Sequence, residues 1–204
     1  MTLKRFTMKN KEYFSEYIKA FLEQNSKLNL ISKNDEKLLW EKHIFDSLAI
    51  EKFFEKYNTA PKTLLDFGTG GGFPAIPIAL AYPEIEVTAM DSIRKKINAI
   101  STIKNELKIH NLTPLCGRVE TLDKKFDIIT SRAVANLGKI VEYAIPRLKK
   151  DGYFIAYKSV KAQEEIEEAK PALKEYKARV IDIIQYDLPL EENHTRNLVV
   201  IAIN

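Results

Sequence analysis

The sequence predicts an α/β fold: a mostly parallel sheet closed by a C-terminal antiparallel hairpin and preceded by an N-terminal helical extension. Three observations carry that reading. From Pro61 onward, short apolar strands alternate with helical stretches. The last two apolar runs, Arg179 to Tyr186 and Arg196 to Ile203, are separated only by Asp187 to Thr195, with no helix between them, so they form a hairpin. The first strand, Leu64-Leu65-Asp66-Phe67, runs into Gly68-Thr69-Gly70-Gly71-Gly72-Phe73-Pro74, an acid followed by a glycine-dense turn.

The elements follow in order. Tyr13, Tyr17, Ala20, Phe21 and Gln24 lie on one face of a first helix. A second helix spans about Leu38 to Tyr57, with Leu39, Ile44, Leu48 and Phe53 as its apolar members. The connector Lys27-Leu28-Asn29-Leu30-Ile31-Ser32 lies between them, with Ser32 or Asn34 as N-cap. Ala60-Pro61 marks a boundary, giving a helical extension over 1–60 and a sheet domain over 61–204. Within the latter the expected strands are Thr63 to Phe67, Glu86 to Asp91, Thr113 to Cys116, Phe126 to Thr130 and Gly152 to Lys158. The expected helices are Phe73 to Ala81, Ile93 to Leu107, Leu137 to Leu148 and Lys161 to Tyr176.

Composition narrows the class. A chain of 204 residues fits one domain with an extension. No apolar run approaches the roughly 20 residues that span a bilayer, and the N-terminus lacks the apolar core of a signal peptide. Cys116 is the single cysteine, which excludes an intrachain disulfide and suits a cytoplasmic setting. Cys116 itself is expected in the core rather than as a nucleophile. The net charge of +4 permits a polyanionic partner without demanding one. Three histidines and one cysteine show no ligand spacing, so no metal is expected.

Four of the seven glycines fall in the turn after the first strand. A backbone that bends this tightly visits positive φ, and one that touches a ligand cannot carry Cβ atoms. The turn is therefore the expected floor of a nucleotide-like cofactor site at the carboxyl end of a parallel strand. Gly70-Gly71-Gly72-Phe73-Pro74-Ala75 fits one dinucleotide frame, so NAD is not excluded by spacing. Three features favour S-adenosylmethionine (SAM) instead. Asp66 precedes the turn, where SAM enzymes keep a carboxylate near the methionine ammonium. Gly68-x-Gly70-x-Gly72 is the usual SAM spacing. Phe73-Pro74 stands where a pyrophosphate would need free amides at a helix start. The alternation of strands and helices closed by an antiparallel pair is also the pattern of the class I SAM-dependent methyltransferase sheet, which is Rossmann-like.

The topology places the other candidates at the carboxyl ends of the strands. Asp91 ends the second strand, where a carboxylate can accept both ribose hydroxyls, cap the helix near Ile93, or do both. Arg118, Val119 and Glu120 follow the third strand, where a backbone amide and an apolar side chain flank an adenine. Glu120 is equally compatible with a solvated acid before a turn. Ser131-Arg132-Ala133 follows the fourth strand, where methyltransferases meet their acceptor. Neither the Asn/Asp-Pro-Pro-aromatic run of adenine-N6 enzymes nor the Cys nucleophile of cytosine-C5 enzymes is present there.

On these residues the chain resembles the RsmG (GidB) family of bacterial small-subunit rRNA guanine-N7 methyltransferases. The likeness runs through Asn29-Leu30, His43-x-x-Asp46-Ser47, Asp66-x-Gly68-x-Gly70-x-Gly72-x-Pro74-x-Ile76-Pro77 and Asp91-Ser92. It continues through Arg118-Val119-Glu120, Ser131-Arg132-Ala133, Lys158 and Arg196-x-Leu198-Val199-Val200. Asn197 departs from it, since many members carry His there. The resemblance implies SAM as cofactor, held by Asp66, Gly68, Gly70, Gly72, Phe73, Asp91, Val119, Glu120 and Arg132. It implies Arg132 as the catalytic residue, and His43, Arg118, Lys158 and Arg196 on the substrate. The implied partner is 16S rRNA or the small ribosomal subunit, met by a cytoplasmic monomer.

The chemistry suits what the sequence lacks. Guanine N7 carries a free lone pair at neutral pH and needs no general base, so positioning and electrostatics suffice. The usual bidentate Arg contact takes both O6 and N7 and would block the acceptor. Arg132 is therefore expected on O6 alone, on a phosphate, or on the SAM carboxylate. His43, Asp46 and Ser47 share one helix face, either as a junction to the sheet or at the pocket mouth. Arg94-Lys95-Lys96, Lys149-Lys150 and Lys158 are the basic groups placed to meet RNA, whereas Glu164-Glu165 and Glu167-Glu168 form a solvated acidic face. Two other readings stand beside this one: a small-molecule or protein methyltransferase on the same fold, and a non-catalytic ribosome-binding protein.

Overall fold

The computed structural model describes residues 10–192 and 194–204. A 3-10 turn, Lys11–Phe14, leads into α1 (Ser15–Leu28), which ends at Asn29 in the left-handed conformation with φ 51°. Ser32 caps the short α2 (Lys33–Glu36) by accepting the Asp35 N–H, so the cap is Ser32 rather than Asn34. Tyr17, Ala20, Phe21 and Gln24 are buried, as their spacing requires. Tyr13 is not: it is 51% exposed. It lies in the 3-10 turn, whose tighter pitch turns Phe14 into the core instead.

The single helix expected over 38–57 is three pieces: a π-helical turn at Trp40–Ile44, α3 (Phe45–Leu48) and α4 (Ile50–Tyr57). Two competing hydrogen bonds accompany the irregularity. Arg132 Nη1 donates to the Lys42 carbonyl, and the Ser47 hydroxyl donates to the His43 carbonyl. The apolar face expected there nevertheless holds, with Leu39, Ile44, Leu48 and Phe53 all buried.

The remaining elements are β1 (Thr63–Phe67), α5 (Ala75–Ala81), β2 (Glu86–Asp91), α6 (Arg94–Glu106), β3 (Leu112–Cys116), β4 (Phe126–Arg132), α7 (Leu137–Ala144), β5 (Leu148–Lys158), α8 (Ala162–Glu175), β6 (Ala178–Leu188) and β7 (His194–Ile203). They form one seven-stranded sheet in the order β3-β2-β1-β4-β5-β7-β6. The first five strands pair in parallel, and β7 runs antiparallel to both β5 and β6. The order reverses between β1 and β4, and this switch point is where an open parallel sheet opens a crevice.

Several boundaries shift for local reasons. The helix after β1 begins at Ala75, not Phe73, because residues 69–74 are spent on a turn; its first helical bond is Ile76 N–H to Gly72 O. β4 extends two residues further than expected, so Ser131 and Arg132 belong to the strand and pair with Ala156 and Tyr157. α7 stops at Ala144 and gives way to a 3-10 turn containing Pro146, whose missing N–H cannot extend the helical ladder. β5 consequently starts at Leu148 rather than Gly152.

Side chains alternate across the sheet with period two. Leu64, Ile128, Ile155 and Val200 join one core with α1, α3, α4, α5 and α6. Leu65, Ile129, Phe154 and Val199 join the other, under α7 and α8. The helices before Ala60 thus share a core with the sheet. Two hydroxyls strengthen the junction: Tyr157 donates to the Ser47 carbonyl at 2.8 Å and Tyr186 to Asp46 Oδ1 at 2.7 Å. On the far side Asn111, just before β3, closes the loop between α5 and β2. Its buried amide nitrogen lies 3.0, 3.2 and 2.9 Å from the carbonyls of Ala79, Tyr82 and Ile85. Asn111→Ala leaves these carbonyls without that donor and is expected to lower unfolding free energy by about 2–3 kcal/mol. Urea denaturation checks this; a midpoint within error of the parent would show that water replaces the amide.

Candidate functional site: two cavities at the sheet switch point

The carboxyl ends of β1, β2 and β3 frame a cavity of about 420 Å³. Gly68, Asp91, Lys96, Arg118, Val119 and Glu120 all line it. Gly68 has φ +69°, and a Cβ there would stand 2.2 Å from Val134 Cγ2, so any other residue would be strained and would displace Val134. Gly70, at φ +59°, would direct a Cβ into open space, with only the Gly68 carbonyl nearby, at 4.0 Å. Its constraint is conformational, and the space beside it is available to a ligand.

Asp91 holds this floor in place. Its Oδ2 accepts the Gly70 N–H at 3.0 Å and its Oδ1 accepts the Ile93 N–H at 2.9 Å. The carboxylate therefore ties the glycine turn to the chain entering α6. Each oxygen keeps a second acceptor site, which leaves Asp91 able to receive hydroxyl donors as well. Lys96 Nζ stands 4.0 Å away. Below, Val119 is buried and Glu120 is exposed. The loop that carries them is fixed by Arg147, whose guanidinium donates to the carbonyls of Glu120 and Leu122. The sequence reading missed Arg147, because a contact across 27 residues leaves no local pattern.

Asp66 is fully buried behind the turn. Its Oδ1 accepts the Thr130 hydroxyl at 3.0 Å. Burial raises its pKa to about 7, although Thr130 and the Arg132 charge pull the other way. Phe73 is buried too, packed against Tyr17, Phe21 and His43, with the Arg132 guanidinium 5.3 Å from its ring centre. Asp66, in β1 behind the turn, and Gly70, Gly72 and Phe73, within it, line neither of the two cavities described here.

The second cavity, about 550 Å³, opens between the N-terminal helices and the ends of β4, β5 and β7. His43, Arg132, Lys158 and Arg196 line it together, whereas Arg118 falls in the first cavity. Arg132 is heavily committed. Nη1 donates to Asp46 Oδ2 at 2.8 Å and to the Lys42 carbonyl at 3.2 Å, and Nη2 lies 2.9 Å from His43 Nδ1. A guanidinium only donates, so His43 Nδ1 must accept and its proton must sit on Nε2. Burial and then the Arg132 charge press the His43 pKa down to about 4, which keeps the ring neutral. Nε2 is itself buried without a hydrogen-bond partner, as is the Tyr17 hydroxyl. The trio of His43, Asp46 and Ser47 serves both anticipated purposes: Asp46 and Ser47 join the sheet, and His43 faces the cavity.

Lys158 is also engaged, donating to Glu165 Oε2 at 2.6 Å and to the Ala135 carbonyl at 3.1 Å. Glu165 corrects the expectation of a purely solvated acidic face. It lines the cavity, accepts Lys158 and accepts the Leu137 N–H at the start of α7. Among the other basic groups, Lys149 pairs with Asp127 at 2.8 Å, while Arg94 and Lys95 are exposed. Cys116 is half-buried and packs against the core. Among the described residues no group of three or more His, Cys, Asp or Glu could hold a metal, and no helix is long and apolar enough to cross a membrane.

A family model described as "GidB: rRNA small subunit methyltransferase G" matches residues 10–198. The chain belongs to this family. Curated relatives agree. It is 37% identical over 198 residues to the ribosomal RNA small subunit methyltransferase G of Bacillus licheniformis, covering 93% of this chain and 81% of that protein. It is 40% identical over 184 residues to that of Lachnoclostridium phytofermentans, covering 87% and 75%. Solved structures share the fold. A SAM-dependent methyltransferase from Aquifex aeolicus aligns with TM-score 0.56 at 18% identity, over 75% of this chain and 89% of that one. M. jannaschii TYW2 in complex with AdoMet aligns with TM-score 0.57 at 18% identity, over 76% and 74%.

The chain is a GidB-family methyltransferase, and the residues present fit SAM as a cofactor. Beside Gly70 the turn leaves open space that a Cβ would enter, and Asp91 retains acceptor capacity at the cavity wall. The uncharged turn suits a ligand without phosphate. Asp66 gives a test of this end of the site. An unfolded Asp loses its proton near its ordinary value of 3.8, and the folded one near 7. Between those values the native state holds a proton that the unfolded state has released, so stability falls as pH rises from about 4 to 7. The expected loss is on the order of 3–4 kcal/mol, and Asp66→Asn removes that part of the slope. Denaturation of both proteins at pH 5 and 8 decides the matter; parallel pH dependences would refute the assignment.

Proposed function

We propose that this protein transfers the methyl group of SAM to N7 of a guanine in 16S rRNA of the small ribosomal subunit, acting as a cytoplasmic monomer. One observation carries the choice of acceptor: apart from His194, the acid–base groups of the larger cavity are already committed. Asp35 pairs with Lys42, Asp46 with Arg132 and Tyr186, and Glu165 with Lys158. His43 carries its proton on Nε2 and uses Nδ1 to accept from Arg132, so it cannot act as a base. This arrangement favours an acceptor that is nucleophilic without deprotonation, as guanine N7 is.

The residues divide between the two ligands. Asp91, Val119 and Glu120 would hold the adenosine half of SAM over Gly68, which supplies an electrophilic methyl on a sulfonium. Arg132 has two of its five donors unspent, Nε–H and one on Nη2. In this reading they face guanine O6 or a backbone phosphate, not N7. His43 lines the same cavity, but its Nε2–H is buried, so it acts by holding Arg132 rather than by touching the base. Arg196 and the exposed Arg94 and Lys95 provide charge for the RNA backbone. Arg118, on the cofactor side, reaches substrate only at the rim. Arg132→Ala would strand the buried Asp46 and so disturb the fold as well as the chemistry. Arg132→Lys is the gentler probe.

His194 also lines the cavity, at the start of β7, and is the imidazole that could serve an acceptor needing a base. The two cases separate cleanly. For a base-free transfer, the single-turnover rate stays flat between about pH 6.5 and 8.5, and His194→Gln stays within roughly threefold of the parent. A rate that climbs tenfold per pH unit, abolished in His194→Gln, would replace N7 by an acceptor that must lose a proton. Mapping methylated bases in small-subunit rRNA from cells with and without the protein locates the target. An unchanged map would leave a binding protein, or a methyltransferase for another substrate.

A further inference from the structure

The two cavities have one lining residue in common. Ala133 borders both the cavity of Asp91 and that of His43 and Arg132. It directly follows the last ladder position of β4, where Arg132 pairs with Tyr157. Its φ is 55°, a left-handed conformation that non-glycine residues seldom adopt. The next residue, Val134, lies across the glycine floor, touching the space above Gly68. The loop is then pinned from behind. Lys158 holds the Ala135 carbonyl, and Glu165 holds both Lys158 and the Leu137 N–H. The partition between the cavities is thus a short, tied loop, with a methyl side chain where the two spaces meet.

We infer that Ala133 forms the aperture through which acceptor and methyl donor meet, and that its side chain must be no larger than a methyl group. This rests on the methyl-transfer reading above. The acceptor nitrogen forms an N–C bond with its lone pair while the C–S bond breaks and its electron pair leaves on sulfur. The purine takes up the positive charge, and no proton moves. The reacting atoms must approach to about 3–3.5 Å with their orbitals aligned, and a misplacement of about 1 Å costs on the order of a hundredfold in rate. A longer side chain at Ala133 would hold the two ligands apart while leaving each in its own cavity. Lys158 and Glu165 are positioning residues for this loop.

Asparagine tolerates a left-handed φ better than other side chains, so Ala133→Asn adds bulk with little backbone strain. SAM and RNA affinities are expected within roughly threefold of the parent, with the single-turnover rate at saturation down by about fiftyfold or more. Ala133→Gly, which relieves φ and removes the side chain, keeps the rate within about threefold. A second readout needs no turnover. An adduct joining adenosine sulfur to guanosine N7 through a short linker should bind the parent at least about tenfold more tightly than S-adenosylhomocysteine, and Ala133→Asn should lose that margin. An Asn variant with parental rate and parental margin overturns the aperture and leaves the methyltransferase reading standing. A parent protein with neither transfer to small-subunit RNA nor an adduct margin overturns both. Should Ala133→Asn fail to fold, Ala133→Ser carries the test, with a fall of about fivefold expected and a parental rate overturning it.

Discussion

Arg132 leaves the end of β4 and meets Asp46 on α3 at 2.8 Å, with the guanidinium and carboxylate both largely withdrawn from solvent. Much of the site depends on this pair. Burying two charges recovers little net stability, because desolvation offsets their attraction. Its consequence is geometric. Arg132 binds the helical segment through the Lys42 carbonyl, His43 and Asp46, and Tyr186 reaches the same carboxylate from β6. Three distant stretches of chain are thereby held at the mouth of the larger cavity. The guanidinium also dictates the tautomer of His43, so a residue on β4 determines what a residue on the helical segment can donate.

The carboxylates around the switch point show how position divides similar groups. Asp91 sits at a cavity wall and spends its charge on two backbone amides, which keeps the glycine turn folded in an open form. Asp66 sits one layer deeper, beyond solvent, and burial brings its proton release close to neutrality. A nearby cation would favour the ionised form of Asp66 by the same electrostatics. Glu165, out on α8, fastens the loop after β4 through Lys158. The two cavities stay separate and adjacent because that loop is held from both ends.

The turn and the strand ends around the smaller cavity were legible because their signals are local. A strand, an acid and four close glycines describe a turn whose geometry follows from φ alone. Asp91, Val119 and Glu120 could be placed by one topological rule, that ligands gather at the carboxyl ends of parallel strands. The antiparallel hairpin followed from a missing helix. Boundaries were less legible where tertiary hydrogen bonds compete with the helical ladder, as at Lys42 and Ser47, or where a proline stops it, as at Pro146.

The larger cavity was harder to read. The sequence named His43, Arg132, Lys158 and Arg196, but nothing in their spacing showed which donors were already spent. Tyr186 lies 140 residues from Asp46, and Tyr157 lies 110 residues from Ser47. Glu165 looked like one more acid on a wet helix. The sequence alone determined the strand order's raw material, the glycine floor and the residue types at each strand end, since periodicity and backbone conformation are properties of neighbouring residues. Tertiary structure alone decided which charges neutralise one another, which histidine nitrogen keeps its proton and where the two cavities touch. Those outcomes depend on distances of a few ångströms between segments far apart in the chain, set by packing that no local pattern encodes.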